Sequence, residues 1–161
     1  GLLGQRYRFD KASLAKRWST SGSAAPTTDV EVQYVQVVVG APVAPARGVL
    51  AYWSVKNVSV TTDDTLGLDV AGVFLGTGAA GEYMFIAKVG EVATRFKSST
   101  TKATPAIGNE AVAISGNAGL ADVLADATAK TYGTETTNKT IGFLRSTVTS
   151  QIATVELAIL D

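Results

Sequence analysis

Two apolar runs, Val70–Leu75 and Tyr83–Val89, flank the segment Gly76-Thr77-Gly78-Ala79-Ala80-Gly81. Short runs rich in β-branched and aromatic residues around a glycine-dense break predict a β-hairpin. In the second arm Tyr83, Phe85, Ala87 and Val89 fall on one face, and Met84, Ile86 and Lys88 on the other. Apolar residues on both faces predict an arm covered on both sides, hence central in its sheet. Further strands are expected at Val30–Val39, at Val49–Val60 with Asn57 as a bulge or bend, and at Glu91–Phe96 as an extension of the hairpin. Glu110–Ile114, Thr140–Arg145 and Ile152–Leu160 complete the set. Pro42 and Pro45 mark residues 40–48 as a loop or sheet edge, because proline lacks the ladder donor. Leu120, Val123, Leu124 and Ala127 have helical spacing, so Leu120–Lys130 reads as a short helix or, alternatively, as a strand plus a loop. The pattern as a whole predicts a mainly β fold: a compact β-barrel or β-sandwich of about eight strands with at most one short helix.

The first residues follow a different pattern. Gln5-Arg6-Tyr7-Arg8-Phe9 alternates polar and aromatic side chains, which suits an extended segment laying Tyr7 and Phe9 on a surface. Asp10 is placed to cap a short helix carrying Leu14 and Trp18 on one side. The small, uncharged tract from Ser19 to Thr28 reads as a linker. This predicts two parts: residues 1–28 as an extended N-terminal arm and linker, and residues 29–161 as the β domain. On that division the arm is expected to be dispensable for folding.

Charge sharpens the division. The formal net charge is zero, yet Arg6, Arg8, Lys11, Lys16 and Arg17 face only Asp10 within the first twenty residues. A basic leading segment on a mildly acidic body results. Interleaved with Tyr7, Phe9 and Trp18, these cations match a single-stranded nucleic-acid binder, but the shortness of the run and the acidic body argue against direct nucleic-acid binding. No apolar run reaches the length of a membrane span, and the start has no signal-peptide core, so neither a membrane partner nor targeting is expected.

Chemistry is sparse. There is no cysteine and no histidine, which removes thiolate sites, the usual metal ligand and the usual general base. Asp63, Asp64 and Asp69 lack the spacing and closing Glu of a calcium loop. Asp122 and Asp126 read as a solvated helix face. The Gly76–Gly81 segment satisfies G-x-G-x-x-G but joins two strands and opens no helix, so it cradles no phosphate. No catalytic residue, metal ligand or cofactor site is expected, and the protein reads as a non-enzyme.

The segments Gly48-Val49-Leu50-Ala51-Tyr52-Trp53, Val70-Ala71-Gly72-Val73-Phe74, Gly81-Glu82 and Val89-Gly90-Glu91-Val92 occur in that order. They are followed by Gly108-Asn109-Glu110-Ala111-Val112, Ile141-Gly142-Phe143 and Ala153-Thr154-Val155-Glu156-Leu157. Over residues 48–160 this pattern resembles the small decoration (cement) proteins of tailed-bacteriophage capsids, from which the longer N-terminal arm and the 120–130 stretch depart. The resemblance implies a virion structural protein on the outer surface of the capsid, a homotrimer that clamps neighbouring major capsid subunits against internal DNA pressure. Under that reading the capsid-binding arm is Arg6, Tyr7, Arg8, Phe9, Leu14, Arg17 and Trp18, with the apolar members as anchors and a strand added to a neighbour's sheet. The alternatives are a carbohydrate-binding or adhesin-like β-sandwich using Tyr52 and Trp53 as a stacking platform, and a carboxylate-dependent hydrolase.

Overall fold

The computed structural model describes residues 2–13, 28–64, 69–114, 116–124 and 138–159. Within these lie ten strands: β1 (Arg6–Phe9), β2 (Val30–Val37), β3 (Leu50–Val55), β4 (Ser59–Thr61), β5 (Val70–Phe74), β6 (Tyr83–Arg95), β7 (Glu110–Ile114), β8 (Ala121–Val123), β9 (Asn138–Leu144) and β10 (Ile152–Ala158). The mainly β expectation holds, and the architecture is a barrel with an added sheet. Strands β2-β4-β3-β5-β6 are neighbours in that order, and β2 also pairs with β6, which closes a five-stranded barrel. Beyond residue 89, β6 leaves the barrel and pairs with β10, and the sheet continues β10-β9-β7-β8. It curls until Ala121 of β8 meets Phe96, just past the end of β6, in a parallel bridge.

Two apolar clusters follow from this topology. Val35, Val37, Ala51, Trp53, Val60, Ala71, Phe74 and Ile86 come from all five barrel strands and fill the barrel. Val30, Val32, Tyr52, Val73 and Ala87 point outward from the barrel and pack with Phe96, Ile141, Leu144, Val155 and Leu157 of the added sheet. The strands shared by both clusters are therefore apolar on both faces, as the sequence of β6 predicts. Lys88 is the exception on the inner face: it is fully buried, donates from Nζ to the Ala71 carbonyl at 3.0 Å, and stands 5.1 Å from the centre of the Trp53 ring.

The β5–β6 hairpin forms as expected, with Val73 opposite Ala87 and Phe74 opposite Ile86. The Val49–Val60 stretch divides into β3 and β4 around a turn in which Asn57 takes a positive φ of 61°. Two expectations are corrected. Asp122, expected on a solvated helix face, is buried in β8 and turns to Lys97 and Thr101, while alternation places Ala121 and Val123 in the core; of the two readings of Leu120–Lys130, residues 121–123 take the strand, and residues 125–130 lie outside the described residues. The second correction concerns the arm. Residues 6–9 do not stand off the domain: they are β1, antiparallel to β2 of the same chain, with Tyr7 opposite Val32 and Phe9 opposite Val30.

The passage of β6 from barrel to added sheet turns on Gly90. Its φ is +111°, and a Cβ there would lie 2.5 Å from the carbonyl oxygen of Asp29, a backbone atom that cannot swing away. Gly90→Ala is expected to cost at least about 2 kcal/mol, seen as a lower urea midpoint at unchanged slope. An unchanged midpoint would show that the bend does not require glycine.

Candidate interaction surface at the β1 edge

Strand β2 determines where β1 can bind. Its even-numbered residues direct their backbone groups to one side: Tyr34 N–H donates to the Gln5 carbonyl, Gln36 N–H to Val58 and Val38 N–H to Val60. Its odd-numbered residues serve β6, as in the bond from Val37 N–H to the Glu82 carbonyl. The first side is thus shared end to end by β1 and then by β4, which runs parallel to β2. By the same alternation Tyr7 and Phe9 bond to β2, and Arg6 and Arg8 point their N–H and C=O groups away from it. Among the described residues β1 is the terminal strand of the sheet, with no strand paired on its outer edge.

Aromatic contacts hold one face of β1. Tyr7 and Phe9 meet Phe85 edge-on, with ring centroids 5.8 and 5.2 Å apart. Phe85 also touches Tyr34 at 5.0 Å, and Tyr34 stacks on the exposed Tyr83 at 5.9 Å and 20°. Five rings thus run from the core margin to solvent across β1, β2 and β6. On the other face Arg6 Nη1 lies 3.1 Å from Glu31, and Arg8 Nε and Nη2 lie 3.2 and 2.7 Å from Asp29 Oδ2. Arg8 is 78% exposed, so this pairing fixes register more than it stabilises.

Both ends of β1 are tied down. Asp29 Oδ1 accepts Lys11 N–H, and Asp10 accepts the N–H and hydroxyl of Ser13, the N-cap expected from the sequence. At the other end Leu2 to Gln5 form a tight turn closed by Gln5 N–H to the Leu2 carbonyl, with Gly4 at φ +78°. That turn abuts the β3–β4 turn: Gln33 Nε2 donates to the Gly4 carbonyl at 2.8 Å and to Asn57 Oδ1 at 3.2 Å. Leu2, Leu3, Val55 and Val58 are exposed on these two adjoining turns. They add apolar area beside the open edge.

Of the residues assigned to the arm, the structure brings Arg6, Tyr7, Arg8 and Phe9 together on this edge, turned partly toward their own domain. Leu14, Arg17 and Trp18 lie outside the described residues. The partners on the body (Asp29, Glu31, Tyr34, Phe85) were not singled out by sequence. A signal for two of them exists: R-x-R at 6–8 and D-x-E at 29–31 are complementary when read antiparallel. Tyr52 and Trp53 are buried at 0% and 6% exposure on opposite faces of β3, so they form no stacking platform. Burial, aided by the Asp64 charge, pushes the Tyr52 phenol well above its ordinary range. Asp64 accepts Asn117 N–H and Asp69 lies 3.7 Å from Lys139; among the described residues no three acidic side chains converge as a metal site. No family model matches the chain, and no curated protein matches it at a significant level.

Two outcomes are expected. The Arg8 guanidinium, then the Lys11 N–H, hold the Asp29 carboxyl below the usual aspartate range. Its contribution to seating β1 is therefore complete above about pH 4 and is lost as the pH falls through the depressed value. Ring-proton shifts of Tyr7 and Phe9 will report this, and Asp29→Asn will abolish that acid transition. Deleting residues 1–9 uncovers Val30, Val32 and Phe85 and is expected to cost about 3 kcal/mol, contrary to a dispensable arm; denaturant unfolding of the truncated chain measures it.

Proposed function

We propose that this protein is a non-enzymatic decoration (cement) protein of a tailed-phage capsid, bound to the outside of the head and clamping neighbouring major capsid subunits. The sequence resemblance over residues 48–160 supports the class. The observation that carries the contact is the open outer edge of β1, flanked by exposed apolar residues on two adjoining turns. A strand added there gains backbone hydrogen bonds from Arg8, with aromatic and leucine side chains beside it for specificity. In this reading β1 does not leave its own body to invade the shell; a segment of the shell extends the sheet at β1. Leu14, Arg17 and Trp18, which follow in sequence, are further candidate contacts. Clamping needs a rigid surface and no turnover, and a homotrimer would multiply a weak single contact through avidity.

Arg8→Pro tests the edge. Arg8 N–H faces away from β2, so proline there removes an outward donor while leaving the β1–β2 ladder intact. On empty expanded heads, wild type and Arg8→Ala are expected to bind alike, and Arg8→Pro at least tenfold more weakly, roughly the loss of one to two net hydrogen bonds. The thermal midpoints of the two variants should agree. Equal binding by all three proteins would overturn the edge contact, and failure of the wild type to bind heads would overturn the function.

A further inference from the structure

We propose that β1 is exchanged between copies of this chain, each copy seating its β1 on the β2 of a neighbour. The connection between β1 and β2 is longer than their pairing requires. β1 and β2 are antiparallel, and Phe9 lies opposite Val30, where a two-residue turn would suffice to return the chain. Residues 10–29 intervene instead. A stretch of that size reaches up to roughly 60 Å when extended, farther than a domain of this size is wide, about 40 Å.

The contacts of β1 are indifferent to which copy supplies the other half. Arg6 pairs with Glu31, Arg8 and the Lys11 N–H with Asp29, Tyr7 and Phe9 with Phe85, and the Gly4 carbonyl with Gln33. Each of these receiving groups lies at residue 29 or beyond, and a second copy presents the same set. Exchange therefore preserves these contacts and alters the entropy of closure, which is the condition for domain swapping. By chain length alone, a connection of this many residues sets the effective concentration of its own β1 on the order of 1 mM. Dilute protein is accordingly self-closed, and copies held side by side at millimolar local concentration exchange. This inference concerns copies of the chain alone and stands apart from whatever surface the protein coats.

The absence of cysteine makes the test specific. Arg8 and Glu31 lie directly opposite one another. The backbone pattern makes them a non-hydrogen-bonded pair, whose ~4.5 Å Cα spacing admits a disulfide. Arg8→Cys and Glu31→Cys variants are mixed, unfolded in urea, refolded together and oxidised, then run on a non-reducing gel. At ~1 mM about a quarter of the chains are expected in a covalent heterodimer, since about half of the arms exchange and half of those land on the other variant, and tenfold dilution should lower this roughly fivefold. Arg8→Cys mixed with Ile107→Cys, an exposed position on the β6–β7 connection, sets the background. The Arg8→Cys/Glu31→Cys double variant at micromolar concentration should close within one chain and so verify the register. A closing double variant with heterodimer no higher than background overturns the exchange. A double variant that fails to close overturns it as well, since the pairing on which it depends would be wrong.

Discussion

A buried strand must have its backbone groups paired along its whole length, and β2 shows how strongly that requirement shapes this molecule. Val30, Val32, Val35 and Val37 are all fully buried, so none of their amide or carbonyl groups can turn to water. On one side the long β6 satisfies the strand throughout. On the other, β4 has three residues and pairs with β2 only at its end, at Gln36 and Val37. The leading half of β2 would be an orphaned edge over an apolar core, and β1 is the segment that covers it. The N-terminal residues are thus part of the fold because β4 is short.

The same economy explains the relation between barrel and added sheet. One strand, β6, serves β2 and β5 with its first half and β10 with its second, so the two cores share a rigid member. Tyr52 and Trp53, adjacent in sequence, enter different cores because a strand alternates its faces. Lys88 is a fully buried cation set against Trp53 in the barrel interior. Its ammonium is hydrogen-bonded, as a buried cation must be.

Much of this was legible in the residues. The two-sided apolar pattern of Tyr83–Val89 marked the central strand, Pro42 and Pro45 marked a loop, and the polar–aromatic alternation of residues 5–9 marked an extended segment resting on a surface. What the alternation cannot say is whose surface. Tyr7 and Phe9 carry the same pattern whether they pack on a neighbour or on Phe85, which lies 76 residues beyond Phe9 in the chain. The charge signs of Asp29 and Glu31 resolve that question once an antiparallel register is considered. The spacing of Leu120, Val123, Leu124 and Ala127 left helix and strand both open, since over a three-residue stretch period two and period 3.6 cannot be distinguished, and pairing with β7 decided for a strand at residues 121–123. The open edge, by contrast, is a property of the completed sheet and leaves no mark on the composition of β1.

The position of β10 between β6 and β9 has a consequence for how the chain is made. Every residue needed to close the barrel has been synthesised by Val89, whereas the strand that joins β6 to the remaining sheet is the last of the ten. During translation the barrel therefore stands complete with Tyr52, Val73 and Ala87 bare on its flank until the ribosome delivers residues 152–158. A nascent chain at that point exposes apolar surface of the kind that invites aggregation.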